Sequence, residues 1–203
     1  MTVLGLTGPS GAGKGELAAA FAHYDVPSLD TDAIYHRLLI PPSPCLDALV
    51  DAFGPSILTP ERTLDRPALA AIVFAADASP ILHQTLNQIT HRFILDETRA
   101  QIEAYRRAGK RAVLVDAPLL YESGFDRECD QVIAVIAPRQ TRIERIMRRD
   151  GIDLAAAEAR LRAQKEDEFY THRADFVVVN DEEKTHLAKS AADILSEIEE
   201  DIR

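Results

Sequence analysis

An apolar run that ends in a glycine-rich turn constrains this chain more than any other feature. Val3-Leu4-Gly5-Leu6-Thr7 leads into Gly8-Pro9-Ser10-Gly11-Ala12-Gly13-Lys14-Gly15-Glu16, and a helix-forming stretch, 17–22, follows at once. Strand, loop and helix in that order, with Gly8-x-x-x-x-Gly13-Lys14 in the loop, is the pattern of a phosphate-binding loop. The composition has a chemical reason. Glycines let the backbone fold back so that its N–H groups point inward at a phosphate. The helix N-terminus behind the loop adds partial positive charge. Lys14 adds a full charge that reaches the outer phosphates. A plain turn between strand and helix would not need that lysine. Gly8, Gly11, Ala12, Gly13, Lys14, Gly15 and Glu16 are therefore expected around the phosphates.

One position departs from the pattern. After the lysine a serine or threonine normally offers its hydroxyl to Mg²⁺, and here Gly15 stands in that place, with Glu16 next. A carboxylate in the first turn of a helix is favoured by the helix dipole. Mg²⁺ keeps several of its waters and accepts carboxylates through them. One expectation is that Glu16 helps hold Mg²⁺ through water, with Asp116 also near the metal. The other is that Glu16 points to solvent or caps the loop, and water fills the position.

The rest of the chain alternates strands and helices. Residues 26–32 predict a short second strand ending in Asp30 and Asp32. Residues 112–116 are a continuous apolar strand ending in Asp116, the pattern of a central parallel strand. Residues 131–136 and 175–179 supply two more strands, and 117–124 reads as a loop. Between strands two and three lie helical segments at 46–53, after Asp65-Arg66-Pro67, and from Ser79-Pro80 to about residue 108. Asp65 is placed to cap its helix, with proline in the first turn. This block is longer than a simple crossover and reads as a helical subdomain, about 55–110. A helix opened by Ala137-Pro138 carries Arg139, Arg142, Arg145, Arg148 and Arg149. Asp153 caps another helix, and 183–202 forms a last, polar one. The expectation is an α/β fold: a parallel five-stranded sheet flanked by helices, in one domain of 203 residues.

Composition narrows the function classes. The formal net charge of −10 disfavours a nucleic-acid backbone as partner. It leaves a phosphorylated small molecule open. No apolar stretch approaches the ~20 residues of a membrane span. The first residues run into a strand with no basic stretch, so the expectation is a cytoplasmic protein without a membrane partner. Cys45 and Cys129, far apart, are expected to be reduced and structural. The histidines show no metal-ligand spacing.

These pieces suit phosphoryl transfer from a nucleoside triphosphate. That reaction needs its phosphates held in line, their charge neutralised and the acceptor hydroxyl positioned. In a parallel sheet, ligands sit beyond the carboxyl ends of the strands. Asp32 and Asp116, at strand ends, are candidates to accept the hydroxyl proton. Arg142, Arg145 and Arg149 fall on one helical face and are candidates for neutralising charge, the alternative being a solvated basic face. Arg148 pairs more simply with Glu144.

At this point the chain resembles the dephospho-coenzyme A kinase family over nearly its whole length. The resemblance is carried by the loop with Asp30-Thr31-Asp32, and by 64–66 through 72–74. It is carried further by 145–151, Gln164 and 174–180. Asp116-Ala117-Pro118-Leu119-Leu120-Tyr121-Glu122-Ser123-Gly124 is its most specific stretch. The resemblance implies a P-loop kinase fold with a helical substrate-binding subdomain and a lid at 139–173. It also implies transfer of the ATP γ-phosphate to the ribose 3′-hydroxyl of dephospho-coenzyme A, with ATP and Mg²⁺ as cofactors. Asp32 becomes the base. Lys14, Arg145 and Arg149 act on the phosphates, and Asn180 joins the ATP site. Arg66, His91, Leu119 and Glu122 join Asp32 around the acceptor. The family usually has Lys-Ser-Thr where this chain has Lys14-Gly15-Glu16, and often His-Pro where it has His91-Arg92. The loop alone resembles a cytidylate kinase, so a nucleoside monophosphate kinase is the alternative enzyme. A nucleotide-binding protein without catalysis is the alternative class.

Overall fold

The computed structural model describes residues 1–75, 78–181 and 184–201, with the side chains of 184–185 and 199–201 set aside. The ends of the expected last helix, Glu183 and Ile202, lie outside the described residues, as do positions 76 and 77 of the helical block. The chain divides into two compact units. One comprises Met1–Leu29 with Ala104–Arg203, the other Asp30–Glu103.

The first unit is built on the sheet. Strand β1 (Thr2–Thr7) is buried along its whole length. It pairs in parallel with β3 (Ala112–Asp116) on one side and with β4 (Gln131–Ile136) on the other. Strand β5 (Phe176–Val179) extends the sheet beside β4, and β2 (Ser28–Asp30) lies beyond β3, giving the order β2-β3-β1-β4-β5. The order reverses direction at β1, so the crevice beyond the carboxyl end of β1 is where this topology leaves room for a ligand. Strands buried on both faces need apolar side chains throughout, and β1, β3 and β4 have them.

Helix α1 (Lys14–Ala22) and helix α10 (Lys184–Asp201) cover one face. Leu17 and Phe21 of α1 pack with Leu187, Ala191, Ile194, Leu195 and Ile198 of α10 in the core that also holds Leu4, Leu6 and Ile133. The expected polar last helix thus has a buried apolar stripe at helical spacing. Each fully buried Leu, Ile or Phe contributes roughly 1.5–3 kcal/mol.

The second unit is helical: α2 (Thr31–Leu38), α3 (Pro44–Phe53), α4 (Arg66–Val73) and most of α5 (Pro80–Arg107). Its own core gathers Leu39, Cys45, Leu49, Ile57, Leu69 and Val73, with Leu86, Ile89 and Phe93 of α5 packed against them. Caps set these boundaries. Asp65 accepts from the Ala68 N–H at 3.0 Å and Pro67 sits in the first turn. Asp30 accepts from the Ala33 N–H at 3.0 Å. That cap corrects one expectation. The second strand stops at Asp30, and Asp32 lies in the first turn of α2 rather than at a strand end. The stretch after β3 is also not wholly a loop, since Leu120–Ser123 forms a short helix α6. The basic helix α7 (Arg139–Asp150) ends at Gly151, and α8 (Leu154–Arg162) and α9 (Asp167–Thr171) follow it.

Candidate active site

The loop after β1 adopts a conformation that only glycine tolerates at its corners. Gly8 has φ +139°, and a Cβ there would lie 2.1 Å from the Val135 carbonyl oxygen. Gly13 has φ +99°, and a Cβ there would lie 1.9 Å from Asn180 Nδ2. No other residue fits either position without moving backbone or a buried side chain.

The loop's carbonyls reveal which way it faces. Lys14 Nζ donates to the Gly8 carbonyl at 2.9 Å, and the Ala12 N–H to that of Pro9 at 3.2 Å. Arg142 Nε donates to the Ser10 carbonyl at 3.1 Å. Arg145 Nη1 donates to those of Gly11 at 3.2 Å and Ala12 at 3.3 Å. Asn180 Nδ2 adds a second donor to Ala12 at 2.9 Å, and Gly13 accepts from the helical N–H groups of Glu16 and Leu17. Every carbonyl from Gly8 to Gly13 thus accepts a hydrogen bond, four of them from side chains. With its carbonyls held this way, the loop leaves to an anion those N–H groups that are not already donating, as Ser10 does to Gln164 and Ala12 to Pro9.

The arginines divide their work. Arg142 is 7% exposed and is also paired with Asp167 at 3.1 Å. Arg145, expected at the phosphates, instead meets the loop carbonyls and Asn180 Oδ1 at 3.1 Å. Arg149 is exposed. It is bound to Asp150 at 2.7 Å, and its Nη2 lies 3.3 Å from Ser10 Oγ. Arg149 and Arg160 together hold the Asp150 carboxyl below its usual range. Glu144, the expected partner of Arg148, accepts from Gln140 Nε2 at 2.8 Å.

Asn180, 3% exposed at the end of β5, joins three parts of the site. It serves Ala12 and Arg145 as above and donates to Glu16 Oε2 at 3.2 Å. Glu16 is therefore tied to the loop's outer support. Gly15 meets nothing within 4 Å of an added Cβ, so the place of the usual hydroxyl is open space. Asp116 ends β3 opposite Leu6 of β1, half-buried. Among the described residues no group of three or more His, Cys, Asp or Glu side chains forms a metal cage.

In the helical unit Asp32 is exposed on α2, with Tyr35 and His36 three and four residues on, hence on the same face. Arg66 Nη2 lies 2.8 Å from His36 Nδ1, and its guanidinium lies 5.7 Å from the Tyr35 ring centroid. An arginine only donates, so the imidazole accepts at Nδ1 and carries its proton on Nε2. His91 is half-buried on α5. The same unit holds a cleft of about 650 Å³ lined by Pro41, Pro42, Leu46, Val50, Leu58 and Arg62 among others. In the sheet unit, Leu119 is 52% exposed and Glu122 is exposed at the start of α6. Between them, Leu120 and Tyr121 are buried, and Tyr121 Oη donates to the Tyr170 carbonyl at 3.0 Å. The two cysteines are free thiols. Burial pushes Cys129 up to about 12, which leaves it no nucleophilic thiolate near neutral pH.

Sequence reasoning missed Tyr35 and His36, although their spacing from Asp32 carried the signal. It also missed the tasks of Arg142 and Gln164, whose contacts with Ser10 span 132 and 154 positions, and that of Asp167, which pairs with Arg142.

A dephospho-CoA kinase family model matches residues 2–186. A dephospho-CoA kinase of Symbiobacterium thermophilum is 39% identical over 89% of this chain and 74% of its own. That of Anaeromyxobacter dehalogenans is 38% identical over 98% and 92%. Among solved structures, dephospho-CoA kinase from Campylobacter jejuni superposes with a TM-score of 0.70 at 26% identity, over 99% of this chain and 98% of its own.

Proposed function

The chain belongs to the dephospho-CoA kinase family, and on that premise we propose that it moves the ATP γ-phosphoryl group to the ribose 3′-hydroxyl of dephospho-CoA. The products are CoA and ADP. The observation that carries this reading is the loop, with six consecutive carbonyls each accepting a hydrogen bond and Lys14 at its edge.

On this reading the residues take the following roles. The loop amides bind the ATP phosphates. Lys14 leaves the Gly8 carbonyl, a neutral partner, for the β- and γ-phosphates, which are charged and hold it more strongly. Arg145 and Asn180 support the loop from its carbonyl side. Arg149, exposed and beside Ser10, supplies the mobile positive charge for the γ-phosphoryl group. Asp32 accepts the proton of the attacking 3′-hydroxyl as the bond from γ-phosphorus to the β,γ-bridging oxygen breaks and ADP leaves. Arg66, His36, Tyr35 and His91 are acceptor-binding residues on this reading, as are Leu119 and Glu122. Asp116, with its waters, is the carboxylate that would hold Mg²⁺, which would neutralise phosphate charge. No helix among the described residues is long and apolar enough to cross a membrane. A cytoplasmic setting with a small-molecule partner belongs to the same proposal.

The test is an ATP-dependent assay with dephospho-CoA, CMP, UMP and AMP as acceptors, with the product mass measured. A mass gain of one phosphoryl group on dephospho-CoA alone is expected. Turnover of CMP in its place would return the reading to a nucleoside monophosphate kinase.

A further inference from the structure

Ser10 lies at the apex of the phosphate loop, between two glycines of positive φ, Gly8 at +139° and Gly11 at +79°. Gly8 and Gly11 flank the Pro9-Ser10 segment as pivots; Pro9 fixes its own φ and its carbonyl accepts from the Ala12 N–H, but where the apex as a whole sits is left to contacts from outside the loop. Side chains fix it. The Ser10 N–H donates to Gln164 Oε1 at 3.0 Å. Its carbonyl accepts from Arg142 Nε at 3.1 Å. Its hydroxyl lies 3.3 Å from Arg149 Nη2. All three polar groups of the apex are thus held by α7 and the turn after α8.

Gln164 and Arg142 are a coupled pair. Gln164 Oε1 also accepts from Arg142 Nη2 at 3.1 Å, so one oxygen binds the loop amide and the guanidinium together. Arg142 Nη1 is anchored on Asp167 at 3.1 Å. A buried guanidinium with this many fixed partners does not reach out to a substrate, and a structural ion pair alone would not need contacts to both the N–H and the C=O of one loop residue.

We propose that Gln164 and Arg142 are positioning residues for the phosphate loop, holding its apex in the ATP-binding conformation before ATP arrives. This rests on the loop being the ATP site. Without the latch, the segment between the glycine pivots must be ordered when ATP binds. Fixing one residue's backbone costs about a factor of ten in an equilibrium constant. The latch therefore acts on ATP affinity and leaves the acceptor site alone.

The test compares Gln164→Met, which removes the shared oxygen at similar length, with Gln164→Glu, which keeps it. ATP affinity is read by calorimetry without acceptor, and KM for each substrate by steady-state kinetics. Gln164→Met is expected to raise the ATP Kd and KM about tenfold, with the dephospho-CoA KM within about twofold and Gln164→Glu within about threefold of wild type. Combining Gln164→Met with Arg142→Met should weaken ATP binding no more than the worse single change, because both act through Ser10. An ATP Kd within about twofold of wild type in folded Gln164→Met overturns the latch, as do equal rises in both KM values or fully additive single effects. If Gln164→Met does not fold, Asp167→Asn tests the latch from its anchor, with about a threefold rise in ATP Kd expected and no change overturning it. Wild type that binds ATP but leaves dephospho-CoA unphosphorylated would refute the acceptor, while the calorimetry still decides the latch.

Discussion

The two units of the molecule carry function in different ways. In the sheet unit, backbone geometry does the work. The glycines at 8 and 13 have no room for a Cβ, and each carbonyl between them has its donor. In the helical unit the candidates are exposed side chains on regular helices, Asp32 and His36 on α2 and Arg66 on α4. A preorganised backbone site depends on many residues that never touch ligand. A side-chain site depends on few, each of which does. Changes in the first should therefore appear in ATP affinity or in the fold. Changes in the second should appear in kcat or in the acceptor's KM.

The sharpest test of that contrast is Asp32→Asn. The amide keeps the size of the carboxylate but cannot take the hydroxyl proton. A kcat loss of ~10²–10⁴ is expected with ATP Kd unchanged. Near-normal turnover would remove Asp32 from proton transfer and bring Asp116 forward. Gly13→Ala is its counterpart in the sheet unit. The added methyl meets Asn180 Nδ2 at 1.9 Å with φ at +99°, a strain of ~1–3 kcal/mol. ATP Kd should rise roughly 10–100-fold, by calorimetry, with the dephospho-CoA Kd unchanged. Equal losses for both ligands would mean the two units do not divide the work as drawn.

Arg66→Ala follows in size. Its hydrogen bond to His36 and its place over the Tyr35 ring leave it one face for an anionic group. A charged hydrogen bond lost with truncation costs about 1.5–3 kcal/mol. The dephospho-CoA KM should rise about tenfold or more while the ATP KM stays within about twofold. A rise in the ATP KM instead would move Arg66 out of acceptor binding.

The contrast also explains what was legible in the sequence. Glycine spacing and apolar runs record backbone constraints directly, so β1, β3, β4, the loop and the caps at Asp65 and Asp153 read through. The run from Asp116 to Gly124 pointed to the family, while the helix α6 within it was expected as loop. Asp32 was read as a strand end because Asp30 and Asp32 are both carboxylates, and only the hydrogen bond to Ala33 shows which one caps the helix. The tasks of Arg142 and Arg145 were not legible. Both lie on the predicted face of α7, but which carbonyls they meet depends on the packing of β1 against β4, and no local pattern encodes that. Gln164 is the extreme case, with its partner 154 positions away.

The smallest expected effect concerns Glu16 and the metal. The sequence left two readings open, Glu16 near Mg²⁺ or Glu16 on the loop. Its Oε2 accepts from Asn180 Nδ2 at 3.2 Å, and Asn180 keeps its bonds to Ala12 and Arg145 without it. Glu16 therefore trims the orientation of an amide that is already held twice. A part-buried contact whose amide keeps its other partners is worth about 0.5–1 kcal/mol. Glu16→Ala should raise the ATP Kd by no more than about threefold and leave the Mg²⁺ concentration for half-maximal turnover within about twofold. Gly15→Ser is the complementary probe. The space around Gly15 is open, so a serine there adds a hydroxyl at the position where such loops bind Mg²⁺. It should lower the Mg²⁺ requirement, and Asp116→Asn should raise it, because an amide attracts a hydrated divalent cation less than a carboxylate does. A Mg²⁺ requirement that rises in Glu16→Ala and stays level in Asp116→Asn would reverse the assignment, taking the metal from the end of β3 to the first turn of α1.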